Sequence, residues 1–503
     1  MRSAGMRALL VLAITLIECR ADGAIGETTT GNDRTEAPTA TLFPSVYNVF
    51  SLNLISNQMS EDEAVFQANH LDGGLAGDPK RLVSIRRPYR ADQYRLLETI
   101  LQGSTDDVNL NAYCTAHELP VEDAYLHYRD DSEVYGKDVS GQKRTFSIRG
   151  WGKGSAVSRQ QSRVQNFIWT QPRWVLNHRS ACVNAYMSDR ALGDVHTGVY
   201  QGNFIDELGP ECGSAGEDFT GLPRTMSGGH LAEYDDLTRE ALVVACPNRY
   251  ETDVVDLLNH VQAMVSAKSP GFTIYPNIGN FDNTSTRRIC QSGAGCATEG
   301  MDYENSSGQG SEEVFYRTAE SVAATGRFYV WSEMHGADVD PTGDLGRDYA
   351  GCNYPAKTGA RGRHSMWALS NYWIARQGNL TRFAQAPARS PNTWNTPLSA
   401  IWYAAIASDL GTPKDKAFSI WQSGIDAAGQ KFRIHRRDYA NAIVLSRSRN
   451  GWDGADWRSF GTPTPLFNLG GTYRLLYSDG TLGVPVTRIG LCLAEAVTLL
   501  RDR

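Results

Sequence analysis

The sequence lacks the signatures of several familiar kinds of site. It has no CxxC pair and no HExxH pattern, so nothing indicates a zinc site. It has no GxSxG elbow, which weighs against a serine nucleophile, and no GxGxxG after an early strand, which weighs against dinucleotide binding. Beyond the N-terminal segment, no apolar run is long enough to span a bilayer. We therefore predict no metal, no organic cofactor and no membrane span in the mature protein.

Positive charge is also in short supply. Lys and Arg number 49 against 56 Asp and Glu, a net charge of −7, whereas nucleic-acid binders concentrate Lys and Arg on one face. We therefore expect no nucleic-acid partner. With 41% hydrophobic and 21% charged residues, the composition is that of a globular chain. A length of 503 residues allows one barrel-sized domain and a smaller one.

The N-terminal segment predicts export. Arg2 and Arg7 precede the apolar run Ala8–Ile17, and small residues follow at Ala21 and Ala24. The run is too short to span a membrane, so residues 1–24 are predicted to be a cleaved signal peptide. The mature protein is expected to be secreted, into an extracellular or periplasmic space. The sequence does not indicate its oligomeric state.

Cysteine usage agrees with an oxidising compartment. The chain has nine cysteines, one of them within the signal, and the even number that remains allows up to four disulfides. Cys290 and Cys296 flank a Gly-rich stretch and are predicted to close a small loop. Cys182, Cys212 and Cys246 lie close enough in the sequence for local pairing.

Strand and helix patterns alternate along most of the chain. After a predicted linker over residues 25–43, about six or seven strand–helix units imply a parallel sheet of the α/β class. Residues 44–413 are long enough for a (β/α)8 TIM barrel with long loops, and a doubly wound sheet is the competing architecture. Two clear strands are predicted at Phe272–Ile278 and Arg327–Glu333.

Four helices and strands are predicted in the first part of this region. A helix is predicted at Glu61–Asn69 with Ser60 as its N-cap. A strand is predicted at Arg81–Ile85, a helix at Ala91–Leu101 and a strand at Val108–Cys114.

The last part of the chain has a different pattern. Residues 414–503 are predicted to form a C-terminal all-β, sandwich-like domain, with strands at Tyr439–Ser446, Thr472–Tyr477 and Val486–Leu493. Ser478-Asp479-Gly480, between apolar runs, predicts a hairpin turn. The domain is either a stabilising appendage or a carbohydrate-binding module.

Polar residues at predicted strand ends are the candidates for chemistry, because the carboxyl ends of barrel strands carry the active sites of that fold. In QGNFIDELG, Asp206 and Glu207 end an apolar run before a Gly-Pro breaker. In YPNIGN, Asn277 follows a strand and could hydrogen-bond sugar hydroxyls. The alternatives are that Asp206 caps the next element and that Asn277 stabilises a turn.

The segment TEGMDYEN contains three acids. Alternation places Asp302 and Glu304 on one face and Glu299 on the other, and Tyr303 between them is a candidate stacking platform for a sugar. The alternative is a solvated loop.

In YVWSEMH, Trp331, Glu333 and His335 alternate and share a face. An aromatic ring, an acid and an imidazole together suit a polar binding pocket. The alternative is that His335 is an ordinary loop histidine.

Two carboxylates are what glycosidic-bond cleavage requires. One protonates the leaving oxygen, and the other attacks the sugar or activates water. We assign Asp206 as nucleophile or base and Glu304 as general acid. Substrate-binding and positioning roles are predicted for seven other residues: Glu207, Asn277, Asp302, Tyr303, Trp331, Glu333 and His335.

The order of these segments resembles a known family. GVYQGNFIDELG is similar to the strand-four signature of several barrel glycosidase-like families, and YPNIGN, GMDYEN and NLGGTYRLLYSDGTLGVPVT follow in the expected order. Over most of residues 45–500, the chain resembles glycosyl-hydrolase-like family fifteen. The resemblance implies a barrel with a C-terminal β-sandwich that acts on a polysaccharide, oligosaccharide or glycoconjugate.

Site residues carry over from this resemblance by position. Asp206 matches the strand-four aspartate, and Glu304 most nearly matches the later glutamate. Gln201 departs from the pattern, since an aspartate often stands there. The acids of GMDYEN leave Asp302 and Glu304 open as the general acid, with Glu299 less favoured.

Two other functions remain as alternatives. A non-catalytic carbohydrate-binding barrel would keep an aromatic, polar groove with only one acid. A metal-assisted hydrolase would need Asp206, Glu333 and His335 to converge with Asn277 on one ion at about 2.0–2.6 Å.

Overall fold

The structure is a computed structural model that describes residues 46–48, 59–75, 79–86, 89–96, 99–127, 132–137, 143–148, 158–163, 165–166, 173–206, 208, 239–278, 284–298, 312–334, 352–354, 361–386, 402–448, 462–493 and 495–502. The predicted signal peptide and linker lie outside these residues. So do five predicted site residues, which therefore stay predictions: Glu207, Asp302, Tyr303, Glu304 and His335.

The described strands and helices run in chain order as follows. The strands are β1 Val46–Asn48, β2 Gly73–Leu75, β3 Arg90–Leu96, β4 Thr99–Leu101, β5 Ser132–Lys137, β6 Lys143–Ile148, β7 Gln165–Asn166, β8 Arg173–Val175, β9 Gly202–Asp206, β10 Thr273–Pro276, β11 Gly295–Thr298, β12 Phe328–Met334, β13 Thr381–Ala386, β14 Ser419–Ile425, β15 Lys431–Asp438, β16 Ala442–Arg447, β17 Phe467–Leu476, β18 Leu482–Ile489 and β19 Ala496–Arg501. The α-helices are α1 Glu61–His70, α2 Pro79–Ile85, α3 Thr105–Ala116, α4 Ala181–His196, α5 Arg239–Lys268, α6 Thr284–Cys290, α7 Glu312–Ala324 and α8 Arg361–Ala375.

Eight strands form a parallel sheet in the order β10-β9-β3-β2-β1-β13-β12-β11, and every neighbouring pair is parallel. The two terminal strands of this order also meet. Asn277, directly after β10, forms a parallel bridge with Ala297 of β11, and the Ile278 N–H donates to the Ala297 carbonyl at 3.1 Å. The carboxyl ends of all eight strands therefore lie at one edge, called the carboxyl edge below.

The parallel sheet separates two hydrophobic clusters. The larger one lies between the strands and the helices and continues into the second sheet. The smaller one, called the inner cluster, has members from β2 and from β9 to β13, and Tyr94 of β3 packs against it. Its buried members are Leu75, Phe204, Tyr275, Ala297, Phe328, Val330 and Ala384. Alternate residues of these strands thus face two different apolar environments, as expected when both faces of a parallel sheet are covered.

The second sheet is antiparallel and has the order β14-β15-β16-β19-β17-β18. It confirms an all-β C-terminal segment, whereas the predicted boundary at residue 414 stays a prediction. The predicted hairpin turn lies between β17 and β18, where Gly480 has φ of +84° and donates its N–H to the Tyr477 carbonyl at 2.9 Å. Such a left-handed conformation costs glycine little.

Local signals explain some helices and mislead at others. Ser60 caps α1 as predicted, because its hydroxyl accepts the Glu63 N–H at 3.1 Å. The predicted strand Arg81–Ile85 is wrong: the residues belong to α2, which begins at Pro79, a favourable first helical residue. The predicted strand Val108–Cys114 is also wrong and lies within α3.

The predicted helix Ala91–Leu101 is wrong as well, since it spans the strands β3 and β4. The sequence RADQYRL looks amphipathic and polar, which favours a helix in isolation. The tertiary structure pairs its polar groups on both faces instead: Asp92 accepts from Tyr275 at 2.8 Å, and Arg95 binds Asp194 of α4. Packing against neighbours therefore overrides the local pattern.

Three disulfides join described cysteines. Cys290–Cys296 closes the predicted small loop between α6 and β11. Cys182 pairs with Cys114 and joins α3 to α4, so it does not take part in the local pairing with Cys212 or Cys246 that the sequence left open. The third bond is Cys352–Cys492. Disulfides are typical of an oxidising compartment. In the described part of the chain, no helix combines the length and the apolarity needed to cross a membrane.

Helix α8 joins the two sheets. The Ser370 and Thr498 hydroxyls lie 2.9 Å apart, and the Tyr439 hydroxyl donates to the Trp373 carbonyl at 2.6 Å. Arg437 of β15 donates to the Ile374 carbonyl at 2.8 Å. On the side of the parallel sheet, the Tyr372 hydroxyl of α8 donates to the Thr381 carbonyl of β13 at 3.2 Å, so both sheets pack against the same helix.

A second junction centres on Glu313 at the start of α7. Its carboxylate accepts from Arg317 at 2.7 Å, from Arg433 of β15 at 2.8 Å and from His435 of β15 at 3.2 Å. Burial acts to raise the pKa of Glu313, but these hydrogen bonds and charges outweigh it and lower the pKa from 4.5 to about 2. Burial also lowers the pKa of His435, which the charge of Glu313 opposes.

Because the folded pKa of Glu313 is depressed, its contribution to stability is present above pH 4.5 and is lost as the pH falls toward 2. Glu313→Gln is expected to lower the free energy of unfolding at pH 7 by about 1–3 kcal/mol and to flatten the acid limb of stability. Urea unfolding between pH 7 and pH 2.5 measures both effects. Glu118→Gln, at an exposed position, is the matched control. Parallel acid limbs in wild type and Glu313→Gln would show that the ionised Glu313 carboxylate contributes nothing to the free energy of unfolding.

Candidate functional site

Three neighbouring strands bring polar side chains together at the carboxyl edge. In the register of the sheet, Asp206, the last residue of β9, lies opposite Leu96 of β3. Ile205 lies opposite Pro276 of β10, so that Asn277 follows at the same edge. Tyr94 of β3 lies opposite Phe204, two residues before Asp206. The site is thus fixed by strand register rather than by a loop.

Both carboxylate oxygens of Asp206 accept a hydrogen bond from a neighbouring side chain. The Tyr94 hydroxyl donates to Oδ2 at 2.6 Å, and the Asn277 side-chain amide donates to Oδ1 at 2.8 Å. The side chains are largely enclosed, since Asp206 is 9% and Asn277 is 5% exposed. Both donors are neutral, so they orient the carboxylate and stabilise its charge without cancelling it.

Aromatic rings form the floor beneath Asp206. Phe204 precedes Asp206 by two residues on the same face of β9, and its ring centroid lies 6.1 Å from Tyr94 and 5.6 Å from Tyr275. Tyr275 in turn meets Phe328 edge-on at 4.9 Å. This packing positions the Tyr94 ring, whose hydroxyl then reaches the carboxylate.

The opposite face of the same strands carries an ionic clamp. Arg95 of β3 donates to both carboxylate oxygens of Asp194 in the last turn of α4, at 2.5 and 3.1 Å. The Asn203 amide of β9 donates to the same carboxylate at 2.8 Å. Arg95 and Asn203 are immediate neighbours in sequence of Tyr94 and Phe204, so the clamp ties β3 and β9 together behind the site.

A second aspartate lies at the other end of the same strands and is bound differently. Asp92 is fully buried, accepts from Tyr275 at 2.8 Å and pairs with Arg90 at 3.1 Å. A Cβ at Gly202 would come within 2.7 Å of both the Arg90 and Asp92 side chains and within 2.6 Å of Thr273, which explains the glycine. The Arg90 guanidinium offsets the charge of Asp92, so a structural role fits Asp92. The Tyr94 hydroxyl and the Asn277 amide, in contrast, hold Asp206 without adding an opposite charge.

The predicted site residues are placed unequally. The structure brings Asp206 and Asn277 together, as their strand-end positions suggested. Trp331 is fully buried in the larger cluster between the strands and the helices, where it packs edge-on against Phe315 of α7 at 5.9 Å. It has no ring face left for a sugar, so its prediction as a stacking platform is corrected: Val330, not Trp331, faces the inner cluster. Glu333 belongs to β12, and its role stays a prediction.

Tyr94 is the functional candidate that sequence analysis missed. A helix was predicted over Ala91–Leu101, so the two-residue alternation by which β3 places Tyr94 on the inner face was not recognised. Alternation of Asp92 and Tyr94 with Ala91 and Gln93 was the available signal.

The described metal-ligating side chains show one close group, formed by Cys352, Cys492 and Glu495 within 4.8 Å of one another. The two sulfurs are bonded to each other and cannot bind an ion as thiolates. The described part of the chain therefore adds no candidate metal centre to the site at Asp206.

No protein-family model matches the chain, and no curated protein matches it. The resemblance to glycosyl-hydrolase-like family fifteen therefore stays a prediction.

Solved structures do align with the chain. Amy13B of Eubacterium rectale is 10% identical, with 93% of this chain and 97% of that chain covered and a TM-score of 0.42. The GH36 α-galactosidase AgaA of Geobacillus stearothermophilus is 10% identical over 91% of this chain and 55% of its own, with a TM-score of 0.39. An α-amylase from Lactobacillus plantarum is 10% identical over 91% and 99%, with a TM-score of 0.38. At TM-scores below 0.5, function has to be derived from this chain's own residues.

Proposed function

We propose that the protein is a secreted glycoside hydrolase in which Asp206 is the nucleophile or the base. The observation that carries the proposal is the Asp206 carboxylate at the carboxyl edge, with each oxygen held by a neutral donor at 2.6 or 2.8 Å. A carboxylate oriented in this way can attack an anomeric carbon or take a proton from water. The proposed substrate is a polysaccharide, an oligosaccharide or a glycoconjugate.

The catalytic domain in this proposal is a closed (β/α)8 barrel over residues 44–413, followed by the β domain over 414–503. Three observations support closure: the eight strands are parallel, the terminal strands β10 and β11 are bridged, and the inner cluster draws residues from six strands. An open doubly wound sheet would leave β10 and β11 as edges. In a closed barrel, Asp206 lies at the catalytic mouth.

The second carboxylate is proposed to come from the segment that follows β11. β11 is joined to β10 through the bridge between Ala297 and Asn277, and Asn277 itself binds Asp206. The chain that leaves β11 therefore starts beside the site. Glu304 is the preferred general acid, Asp302 is the alternative, and Glu299, two residues after Ala297, is tested with them. A separation from Asp206 of about 5 Å gives retention, and about 6.5–9.5 Å gives inversion.

Asp206→Asn is expected to lower turnover by about 10²–10⁴-fold, because an amide neither attacks nor accepts the proton. The fold should persist, since the Tyr94 hydroxyl can rotate to accept from the new amide. Reducing-end release from a panel of soluble polysaccharides measures activity, and urea unfolding checks stability. Full activity in the variant would refute the assignment of Asp206. Saccharide binding without turnover in the wild type would indicate the non-catalytic binding protein instead.

Tyr94→Phe tests the hydrogen bond to Asp206. The carboxylate loses a donor that stabilises its charge, so the acid limb of the kcat/KM profile should move up by about one pH unit. Tyr275→Phe is the matched control, because it removes the same kind of bond from Asp92 at the other end of the strands. Equal acid limbs in the two variants would contradict a role for Tyr94 at the site.

Glu304→Gln is expected to reduce hydrolysis of substrates with poor leaving groups most strongly and to spare activated aryl glycosides, since those need little protonation. Asp302→Asn and Glu299→Gln are measured in parallel, and the acid is the residue whose loss depends on the leaving group. Uniform losses across leaving groups in all three variants would exclude this segment as the source of the acid.

A further inference from the structure

The three disulfides that join described cysteines differ in their access to solvent. Four of the six cysteines are at most 1% exposed: Cys114, Cys182, Cys290 and Cys296. In the third bond, Cys492 is 3% exposed, but Cys352 is an exposed residue. Thiol–disulfide exchange requires a thiolate to reach one sulfur of the bond, so access to the cysteine governs its rate. Among these three bonds, Cys352 is therefore the cysteine that an external thiol reaches most readily.

A carboxylate lies directly beside this exposed bond. Glu495 is fully buried, and one of its carboxylate oxygens lies within 4.8 Å of both sulfurs. The carboxylate accepts from the Asn353 backbone N–H at 2.9 Å, from the Asn353 side-chain amide at 3.0 Å and from the Cys492 backbone N–H at 2.8 Å. Three N–H donors suit the ionised form, which can only accept. Burial raises the pKa of the neighbouring Tyr354 hydroxyl well above 10, and the negative charge of Glu495 adds to this effect.

The residues that follow Cys352 are held by contacts other than the disulfide. The Asn353 side-chain amide also donates to the Gly490 carbonyl at 2.8 Å. Tyr354 is buried and meets Tyr477, directly after β17, edge-on at 6.1 Å. These contacts include neither sulfur. Opening of the bond therefore leaves the two cysteines close together, so the bond can form again when the external thiol is removed.

We propose that Cys352 is a site of reversible modification by low-molecular-weight thiols and that the Glu495 carboxylate slows this modification. The thiolate of the reagent attacks Cys352 Sγ, a bond forms between these two sulfurs, and the bond to Cys492 Sγ breaks. The electron pair leaves with Cys492, whose thiolate takes a proton from water. A second thiol can then attack the mixed disulfide, which returns Cys352 as a reduced thiol and releases the reagent as its oxidised disulfide.

The reaction brings negative charge toward Glu495 at each stage. The attacking thiolate, the transition state and the departing Cys492 thiolate are all anions beside a fixed carboxylate. Because that carboxylate is buried, its repulsion of a nearby anion is screened less than it would be in water. Charge therefore protects the exposed bond, whereas burial protects the other two. This inference does not depend on the proposed hydrolase activity.

The place of modification is measured on the native wild-type protein. Timed exposure to 2-mercaptoethanol is followed by N-ethylmaleimide and by peptide mass spectrometry. We expect the mixed disulfide on Cys352 and the maleimide on Cys492, at a rate at least about tenfold above modification of the two buried bonds. Equal rates at Cys114–Cys182 or Cys290–Cys296 would overturn the site, and so would a mixed disulfide on Cys492. Failure of the bond to form again after removal of the thiol would overturn reversibility.

The role of Glu495 is measured with thiols of different charge. Rates for cationic cysteamine, neutral 2-mercaptoethanol and anionic 2-mercaptoethanesulfonate are each divided by the rate of the same thiol with a small neutral disulfide. We expect the corrected rate in the wild type to be about tenfold higher for cysteamine than for the sulfonate. Glu495→Gln should react about tenfold faster with the neutral thiol and should depend less on the charge of the reagent.

Asp479→Asn is the matched control, because it removes a carboxylate in the exposed β17–β18 turn that accepts the Thr481 N–H at 2.9 Å. It should react like the wild type, and an acceleration as large as that of Glu495→Gln would assign the effect to overall charge. Equal corrected rates for the three thiols in the wild type would overturn the protective role, even if Glu495→Gln fails to fold. Equal rates in the wild type and a folded Glu495→Gln would also overturn it.

Discussion

The two hydrogen bonds that hold the Asp206 carboxylate depend on the register of the parallel sheet. The donors come from the strands on either side of the one that carries Asp206, Tyr94 from β3 and Asn277 from the end of β10. A shift of either strand by one residue would turn Tyr94 or Asn277 to the face of the sheet that the helices cover, because successive residues of a strand face opposite sides. Correct register on both sides of β9 is therefore the condition for the site.

Register is secured from both faces of the sheet. On the inner face, aromatic rings of β3, β9, β10 and β12 interlock in the order Tyr94, Phe204, Tyr275 and Phe328. On the outer face, Asp194 binds Arg95 and so joins α4 to β3. The two aspartates of this region illustrate how surroundings decide the role. Asp92 pairs with the Arg90 guanidinium, which fits a structural role, while Asp206 accepts from a hydroxyl and an amide at the carboxyl edge.

The second sheet belongs to the same hydrophobic core as the parallel sheet and is bound to it at three kinds of contact. Helix α8 packs against both, Glu313 connects α7 to β15, and Glu495 holds the connection that follows β12. Two of these three contacts use a buried or half-buried carboxylate surrounded by N–H donors. Such contacts add less net stability than apolar packing of the same area, but they specify one relative position.

The sequence by itself determined the strand–helix alternation outside residues 81–114, the all-β C-terminal segment, the capped helix after Ser60 and the strand-end positions of Asp206 and Asn277. Each of these follows from local spacing of apolar residues and turn signals. Only the tertiary structure decided that RADQYRL is a strand, that Cys182 bonds to Cys114 and that Trp331 faces the helices. Those outcomes depend on partners distant in the chain, such as Asp194 for Arg95 and Phe315 for Trp331, and no local pattern encodes where such partners will be.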